Sequence, residues 1–340
     1  MPVPTGAGSE AVGKLIAEVR QRWQVIDPLL PAPALPSPGS AVLAGGQPGP
    51  HCGARLAVGD GHGLVAVGSC EHWQGEPDSL DVTWAAARRF QLTPLVGGQD
   101  VAGALDALLS QWREHLSSLP STRDADTAAV INWPSRDIDG PAALLRHGFA
   151  PSAVIAAKAA GRDRFVAGAA DAGTEPPGVR VRRASPADID AVVRLGLDAI
   201  RFDWHFCGVN ERPGTADALG REASGLLAGP QPWVWLAERD GTAVGMLACE
   251  QPEQANWIAS MTGRAPVAYL LLMGVQASER AQGIGAALAA RLDRAMQAAG
   301  ISVALLHYAQ INPLSVPFWS QQGYRPLWTE WEAWPPAAVR

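Results

Sequence analysis

The chain has 340 residues, nearly half of them apolar, and a formal net charge of −6. This length suggests two domains with enough apolar surface for a sizeable core. The acidic balance argues against a nucleic-acid surface, and no apolar run is long enough to cross a membrane, so neither partner is expected. Cys52, Cys70, Cys207 and Cys249 are scattered and fit no zinc spacing. They read as buried thiols of a reducing cytosol, and no metal is expected. Residues 1–14 lack the basic-then-apolar layout of a signal peptide, which makes a cytoplasmic location the expectation. Basic charge is almost all arginine, Lys14 and Lys158 being the only lysines, and Ala, Gly and Pro are abundant. Together these suggest a GC-rich bacterial source.

In chain order, Glu10 to Arg22 has helical periodicity and Pro31 to Pro50 reads as loop. Ala54 to Val58 and Leu64 to Glu71 are strand-like around a Gly-rich turn, and Phe90 to Val96 is a further strand. A helix over Val101 to Leu116 turns Leu105, Leu108, Leu109 and Trp112 inward. Next come a strand over Thr127 to Asn132, a short helix over Pro141 to His147 and a strand over Ser152 to Ala159. Residues 168–178 form a polar linker. Val179 to Arg183 is a strand, and Ser185-Pro186-Ala187-Asp188 is a capped helix start. That helix runs to Arg201, with another over Thr215 to Leu227. Trp233 to Glu238 and Ala243 to Glu250 make a hairpin around Asp240-Gly241. After the apolar strand and helix described next, the expected elements are a strand over Val303 to Tyr308, a helix over Pro313 to Gln322 and a strand over Tyr324 to Trp334.

The stretch from Leu270 to Leu288 organises this order. An apolar run ending in Met273-Gly274-Val275 reads as a buried strand. A polar turn follows, and two glycines open a helix with Leu288, Leu292 and Met296 on one face. Strand, Gly-bearing turn and helix N-terminus make an anion site, because the first-turn N–H groups lack helical partners and sit at the positive end of the helix dipole. The dinucleotide fingerprint fails, since Leu288 occupies its third small position and no acidic residue closes the next strand. The P-loop pattern fails for want of Gly-Lys-Ser/Thr.

Arg280-Ala281-Gln282-Gly283-Ile284-Gly285-Ala286 resembles the acetyl-CoA loop of the GCN5-related N-acetyltransferases (GNAT superfamily), whose signature is Arg/Gln-x-x-Gly-x-Gly/Ala after a strand. Asn312-Pro313-Leu314-Ser315, then Phe318-Trp319 and Gly323-Tyr324, strengthen the resemblance. The first half repeats the tail of the same order, and Leu144 to Phe149 is similar to Trp319 to Tyr324. The implied fold is α/β (α+β): two tandem GNAT-like domains, each a mixed, mostly antiparallel splayed sheet flanked by helices. Residues 1–167 would be a degenerate copy and 179–340 the intact one. The tandem plan is similar to that of mycothiol synthase-like proteins. In the first copy the loop reads Val96-Gly97-Gly98-Gln99-Asp100, where Asp100 would place a negative charge beside a diphosphate.

The resemblance implies an acetyl-CoA-dependent N-acetyltransferase acting by direct transfer to a small-molecule amine in a ternary complex. The alternatives are a CoA-binding sensor or scaffold and a protein or peptide N-acetyltransferase. A homodimer is compatible with each. Acetyl-CoA, the co-substrate, would lie against main-chain groups of Met273 and Val275 and N–H groups of Ala281, Gln282, Gly283, Ile284, Gly285 and Ala286. Arg280, Asn312, Ser315 and Trp319 would complete that site. The family often draws a proton from a tyrosine where this chain has Trp319, whose indole cannot supply one. Many members carry a glutamate where this chain has Tyr269. Tyr308 and His307 are the replacement proton donors. Strand alternation turns them to opposite sides, which favours Tyr308 alone in the cleft. Glu250, a strand-end carboxylate expected near the surface, could act on the amine through water. Asp203, Trp204, His205 and Phe206 suit an acceptor site for an amine on an apolar body.

Overall fold

The computed structural model describes residues 7–35, 47–48, 54–119, 122–160 and 175–340. Cys52, most of the Pro31 to Pro50 passage and the 168–174 part of the linker lie outside the described residues. The first half comprises α1 (Ala7–Ile26), β1 (Gln47–Pro48), β2 (Ala54–Asp60), β3 (Gly63–Gln74), α2 (Asp81–Trp84), β4 (Arg88–Val96), α3 (Val101–Ser117), β5 (Thr127–Pro134), α4 (Pro141–Arg146) and β6 (Ala150–Ala159). The second comprises β7 (Val179–Arg183), α5 (Ile189–Asp203), α6 (Thr215–Leu227), β8 (Val234–Arg239), β9 (Thr242–Glu250), β10 (Val267–Val275), α7 (Ile284–Ala298), β11 (Val303–Ala309), α8 (Ser315–Gln321) and β12 (Arg325–Ala333). Sequence periodicity located these elements except β1, which falls in the passage read as loop, α2 and the short 3-10 turns Ala255–Trp257 and Ala259–Met261, all of which have too few residues to show a period. At the start of α5, Ser185 and Asp188 form the expected capping box.

All described strands belong to one continuous sheet, rather than a separate sheet in each half. Its order is β1-β3-β4-β5-β12-β6-β11-β10-β9-β8-β7, with β2 also on β3. Two pairs, β4–β5 and β10–β11, are parallel, and the other pairings are antiparallel. The closing strands are exchanged. From the first half, β6 lies along β11 from Val303↔Ala159 to Ala309↔Ala153. From the second, β12 lies along β5 from Trp328↔Pro134 to Ala333↔Ala129. The two exchanged strands also pair with each other at the centre.

Both halves end their last helix in the same way. Gly148 and Gly323 adopt left-handed φ values of 87° and 85°. The next N–H reaches back to close the helix, Phe149 to Leu144 O at 3.0 Å and Tyr324 to Trp319 O at 2.9 Å. A side chain at either glycine would strain that turn. The aromatic residue then enters the core of its own half: Phe149 stacks on Trp112, and Tyr324 meets Trp319 edge-on. Between halves, the α2 segment docks on the loop before α6. Thr83 and Thr215 hydroxyls lie 2.8 Å apart, Asn210 N–H donates to Thr83 O, and Arg212 Nη1 is 2.7 Å from Asp126 Oδ2.

Strand exchange makes each half depend on the other. Residues 179–340 expressed alone would leave the β11 edge and both edges of β12 without their native partners, a template for aggregation. Such a fragment should be insoluble, or soluble only with residues 1–167 present. A monomeric fragment with native-like amide-exchange protection in β11 would contradict this dependence.

Candidate active site

The site begins where two strands part. β10 and β11 pair from Val267↔Val303 to Leu270↔Leu306 and no further. Beyond that point β10 stays with β9 as far as Val275, and β11 stays with β6 as far as Ala309. A register shift at Leu271 marks a bulge on β10, which bends the strand away from its neighbour. One edge of 271–275 therefore has no strand partner and faces the gap.

A cleft of about 470 Å³ opens there. Its walls are the end of β10, the loop before α7, the last turns of α5 and the start of α8. Gly283 has φ 83°, and the first helical bond of α7 is Ala287 N–H to Gly283 O, leaving the N–H groups of Ile284, Gly285 and Ala286 outside the helical ladder. A Cβ on Gly285 would lie 3.1 Å from the Phe318 ring, so a larger side chain there would push against α8. Arg280 is held with its guanidinium 4.4 Å from the Phe202 ring centre and its Nε 3.1 Å from Val275 O. Arg239 braces the loop from behind through Glu279 and Gln282. Met273, Val275, Arg280, Ala281, Gly283, Ile284, Gly285, Ala286, Asn312, Ser315 and Trp319 line the cleft, whereas Gln282 directs its side chain to Arg239 and does not. This cradle of unused N–H groups, free strand edge and guanidinium fits a phosphate-bearing, amide-containing ligand such as acetyl-CoA.

Asn312 is buried and committed to the protein. Its Oδ1 accepts from Leu314 and Ser315 N–H, capping α8, and its Nδ2 donates to Asp203 Oδ1 at 2.7 Å. Burial pushes the Asp203 carboxyl up to about 6 against the pull of Asn312. Asp203, Met273, Ser315 and Trp319 form the wall between the cleft and a second cavity of about 260 Å³.

That second cavity departs from the sequence-based expectation in three ways. It passes through the gap between the strands, so His307 and Tyr308 both line it despite projecting to opposite sides. His307 is exposed to water on its cavity side, and the protein packed around it lowers its pKa to about 4 by desolvation. Its Nδ1 is 2.9 Å from the Tyr269 hydroxyl. Burial raises the pKa of the Tyr308 phenol, which is protonated at neutral pH. Second, Glu250 is no surface carboxylate: it is 7% exposed, because the 3-10 turn at Ala255–Trp257 folds over the end of β9. Its Oε2 accepts from Trp257 Nε1 at 2.8 Å, and burial pushes its pKa up to about 7. Third, Trp204, His205 and Phe206 line neither cavity, and Trp204 is 60% exposed. Asp203 and Cys207 supply that loop's contribution instead. The first half adds Trp73, Asp81, Trp84 and Arg89, which only the strand exchange and the α2 docking bring near.

In the first half the corresponding turn is filled. Gly98, with φ 82°, donates its N–H to Glu18 Oε1 at 2.6 Å, and Asp100 Oδ1 accepts from Gly103 N–H. Leu15 and Val19 of α1 pack on Val67 and Leu95. Two carboxylates thus take N–H groups of the kind a diphosphate would need, and α1 lies along the sheet there.

Residues 198–324 match the acetyltransferase (GNAT) family model. A GCN5-related N-acetyltransferase from Sphaerobacter thermophilus is similar in fold, with 13% identity, 98% of this chain and 94% of that chain covered, and a TM-score of 0.56. A tandem GNAT protein from the clavulanic acid biosynthesis pathway shares 14% identity over 96% of this chain and 95% of that one, with a TM-score of 0.47. A GCN5-related N-acetyltransferase from Kribbella flavida shares 17% over 82% and 88%, with a TM-score of 0.43. No curated protein matches the chain in sequence.

The buried Glu250 carboxyl yields a stability test. Its pKa is raised above the ordinary 4.5, so the folded state holds a proton that the unfolded chain releases. The stabilisation is complete below about pH 4.5 and is lost as pH rises through about 7. Glu250→Gln keeps an acceptor for Trp257 but cannot ionise. It should stabilise the fold relative to the parent at about pH 8, by at most about 3 kcal/mol, and change little at about pH 5. Thermal unfolding at the two pH values checks this through Tm. A variant less stable than the parent at the higher pH would contradict the assignment.

Proposed function

We propose that the chain, whose residues 198–324 carry the GNAT acetyltransferase domain, transfers the acetyl group of acetyl-CoA directly to a small-molecule amine, using one site in the second half. The observation that carries this reading is the meeting of two cavities, one a phosphate-accepting cleft and the other acid-lined, at Asp203, Met273, Ser315 and Trp319. The second cavity's volume of about 260 Å³ lies below the usual range for drug-sized ligands, which favours a small acceptor over a peptide.

Acetyl-CoA supplies an acetyl group activated as a thioester. The N–H groups of Ile284, Gly285 and Ala286 would hold its diphosphate and the free edge of 271–275 its amide arm. Glu250 acts as the base: a carboxyl with a pKa near 7 is matched to taking a proton from an ammonium at neutral pH, directly or through one water. Tyr308 is the proton donor to the departing thiolate. A thiolate is a fair leaving group without assistance, its conjugate acid having a pKa of roughly 8.5 on the cysteine scale. Trp319 and Ser315 wall the reacting centre, and Asn312 fixes Asp203 beside it. The first half, whose turn is filled by Glu18 and Asp100, is a degenerate copy that binds no cofactor and builds part of the acceptor cavity.

Calorimetry should find one acetyl-CoA per chain. Gly283→Asp should abolish binding, whereas Gly283→Asn should weaken it less. Both side chains tolerate the left-handed region and meet only Pro176 at 3.6 Å, so the difference reads the charge. Two equivalent sites, or unchanged binding in the Asp variant, would contradict the reading. Tyr308→Phe should lower kcat by about 10²–10⁴-fold and leave acetyl-CoA affinity nearly unchanged. Parental kcat in that variant would leave water as the proton donor.

A further inference from the structure

The acceptor cavity holds more negative charge than the proposed chemistry needs. One carboxylate, Glu250, suffices as a base. Beyond Asp203, tied to Asn312, and Glu330 and Glu332, which face Arg89, two more carboxylates line the same cavity, Asp81 from α2 of the first half and Glu222 from α6. The three come from separate segments and are close enough to act on one another: after burial, the charge of Glu222 is the next cause raising Asp81, and both raise Glu250. Asp81 is pushed up to about 6 and Glu250 to about 7. No side-chain cation pairs with any of the three among the described residues. Arg89, in the same cavity wall, is taken by Glu330 at 2.7 Å and Glu332 at 3.8 Å. Although Glu250 is more than nine-tenths buried, among the described residues it uses only Oε2, on Trp257, and its other oxygen has no protein partner there.

Such an arrangement is unfavourable in the free protein and becomes favourable when a cation enters. A metal ion does not suit it, since among the described residues no group of three His, Cys, Asp or Glu side chains could hold one. The surrounding wall suits an organic cation: Leu80, Trp84, Trp257 and Leu271 offer apolar and aromatic surface beside the carboxylates. This surface could cover a hydrocarbon chain.

Resting on the small-amine reading above, we propose that the acceptor is a linear diamine or polyamine. One amino group reacts beside Asp203 and Tyr308, and a second, still charged, is seated by Asp81 and Glu222, with its methylene chain along the apolar wall. The first half is then a specificity element, since Asp81 reaches the cavity only through the docking of α2 on α6.

The test compares linear α,ω-diamines with n-alkylamines of matching length, following CoA release with acetyl-CoA in excess. The best diamine should exceed its matched monoamine in kcat/KM by about 10–100-fold, the range of a charge-assisted contact. In the double variant Asp81→Asn, Glu222→Gln this ratio should fall to within a few-fold of unity, with acetyl-CoA affinity by calorimetry retained as the sign of an intact fold. Equal rates for the two series in the parent, or a ratio that persists in the double variant, would overturn the proposal while leaving amine acetylation standing. Turnover of neither series would overturn the small-amine reading and this inference with it.

Discussion

The parting of β10 from β11 after Leu270 and Leu306 is the constraint on which the rest of the site depends. A parallel pair that continued to Val275 would satisfy its backbone groups internally and leave nothing for a ligand to bond. Because the strands diverge, 271–275 offers an unpaired edge and the gap becomes a passage between the two faces of the sheet. The bulge at Leu271 and the close packing of Gly274 on Leu195 O help keep β10 on its divergent course. The turn before α7 then brings three unused N–H groups to the mouth of the same gap. Cofactor cleft and acceptor cavity are two ends of one opening.

Strand exchange is what makes that opening possible in a folded sheet. A strand that leaves its neighbour must find another, and β11 finds β6 from the first half. In return β12 completes the β5 edge, so neither β11 nor β5 is left as an exposed, aggregation-prone edge. The same exchange places Glu330 and Glu332 of β12 against Arg89 of β4. The docking of α2 on α6 adds Asp81. Thus a half whose own turn is occupied by Glu18 and Asp100 still shapes the second cavity.

Much of the fold was legible because it is encoded locally. The strand–turn–helix from Leu270 to Leu288 carries its own signals: an apolar run, a left-handed glycine at Gly283 and a helical stripe of Leu288, Leu292 and Met296. The Gly-aromatic helix ends at Gly148 and Gly323 were visible for the same reason. Which sheet a strand joins is not a local property, and no pattern in Ala150–Ala159 distinguishes pairing with β5 from pairing with β11. Glu250 illustrates a second limit. At the end of an apolar strand it resembles a surface carboxylate, and its burial comes from a 3-10 turn too short to show a period. The aromatic loop after α5 misled in the opposite direction. Trp204 and Phe206 suggested a pocket wall, but the chain turns so that Asp203 and Cys207 face inward. His307 and Tyr308 alternate as strand residues should, yet both reach the cavity because the cavity crosses the sheet.

The central claim is that this opening, and not its counterpart in the first half, receives acetyl-CoA. Amide hydrogen exchange of the full chain with and without acetyl-CoA tests it most directly, because the ligand is expected to bond backbone groups. The account predicts slower exchange at residues 271–275 and 283–286, with residues 97–104 unchanged. Protection at 97–104, or none at 271–275 under saturating acetyl-CoA, would contradict it.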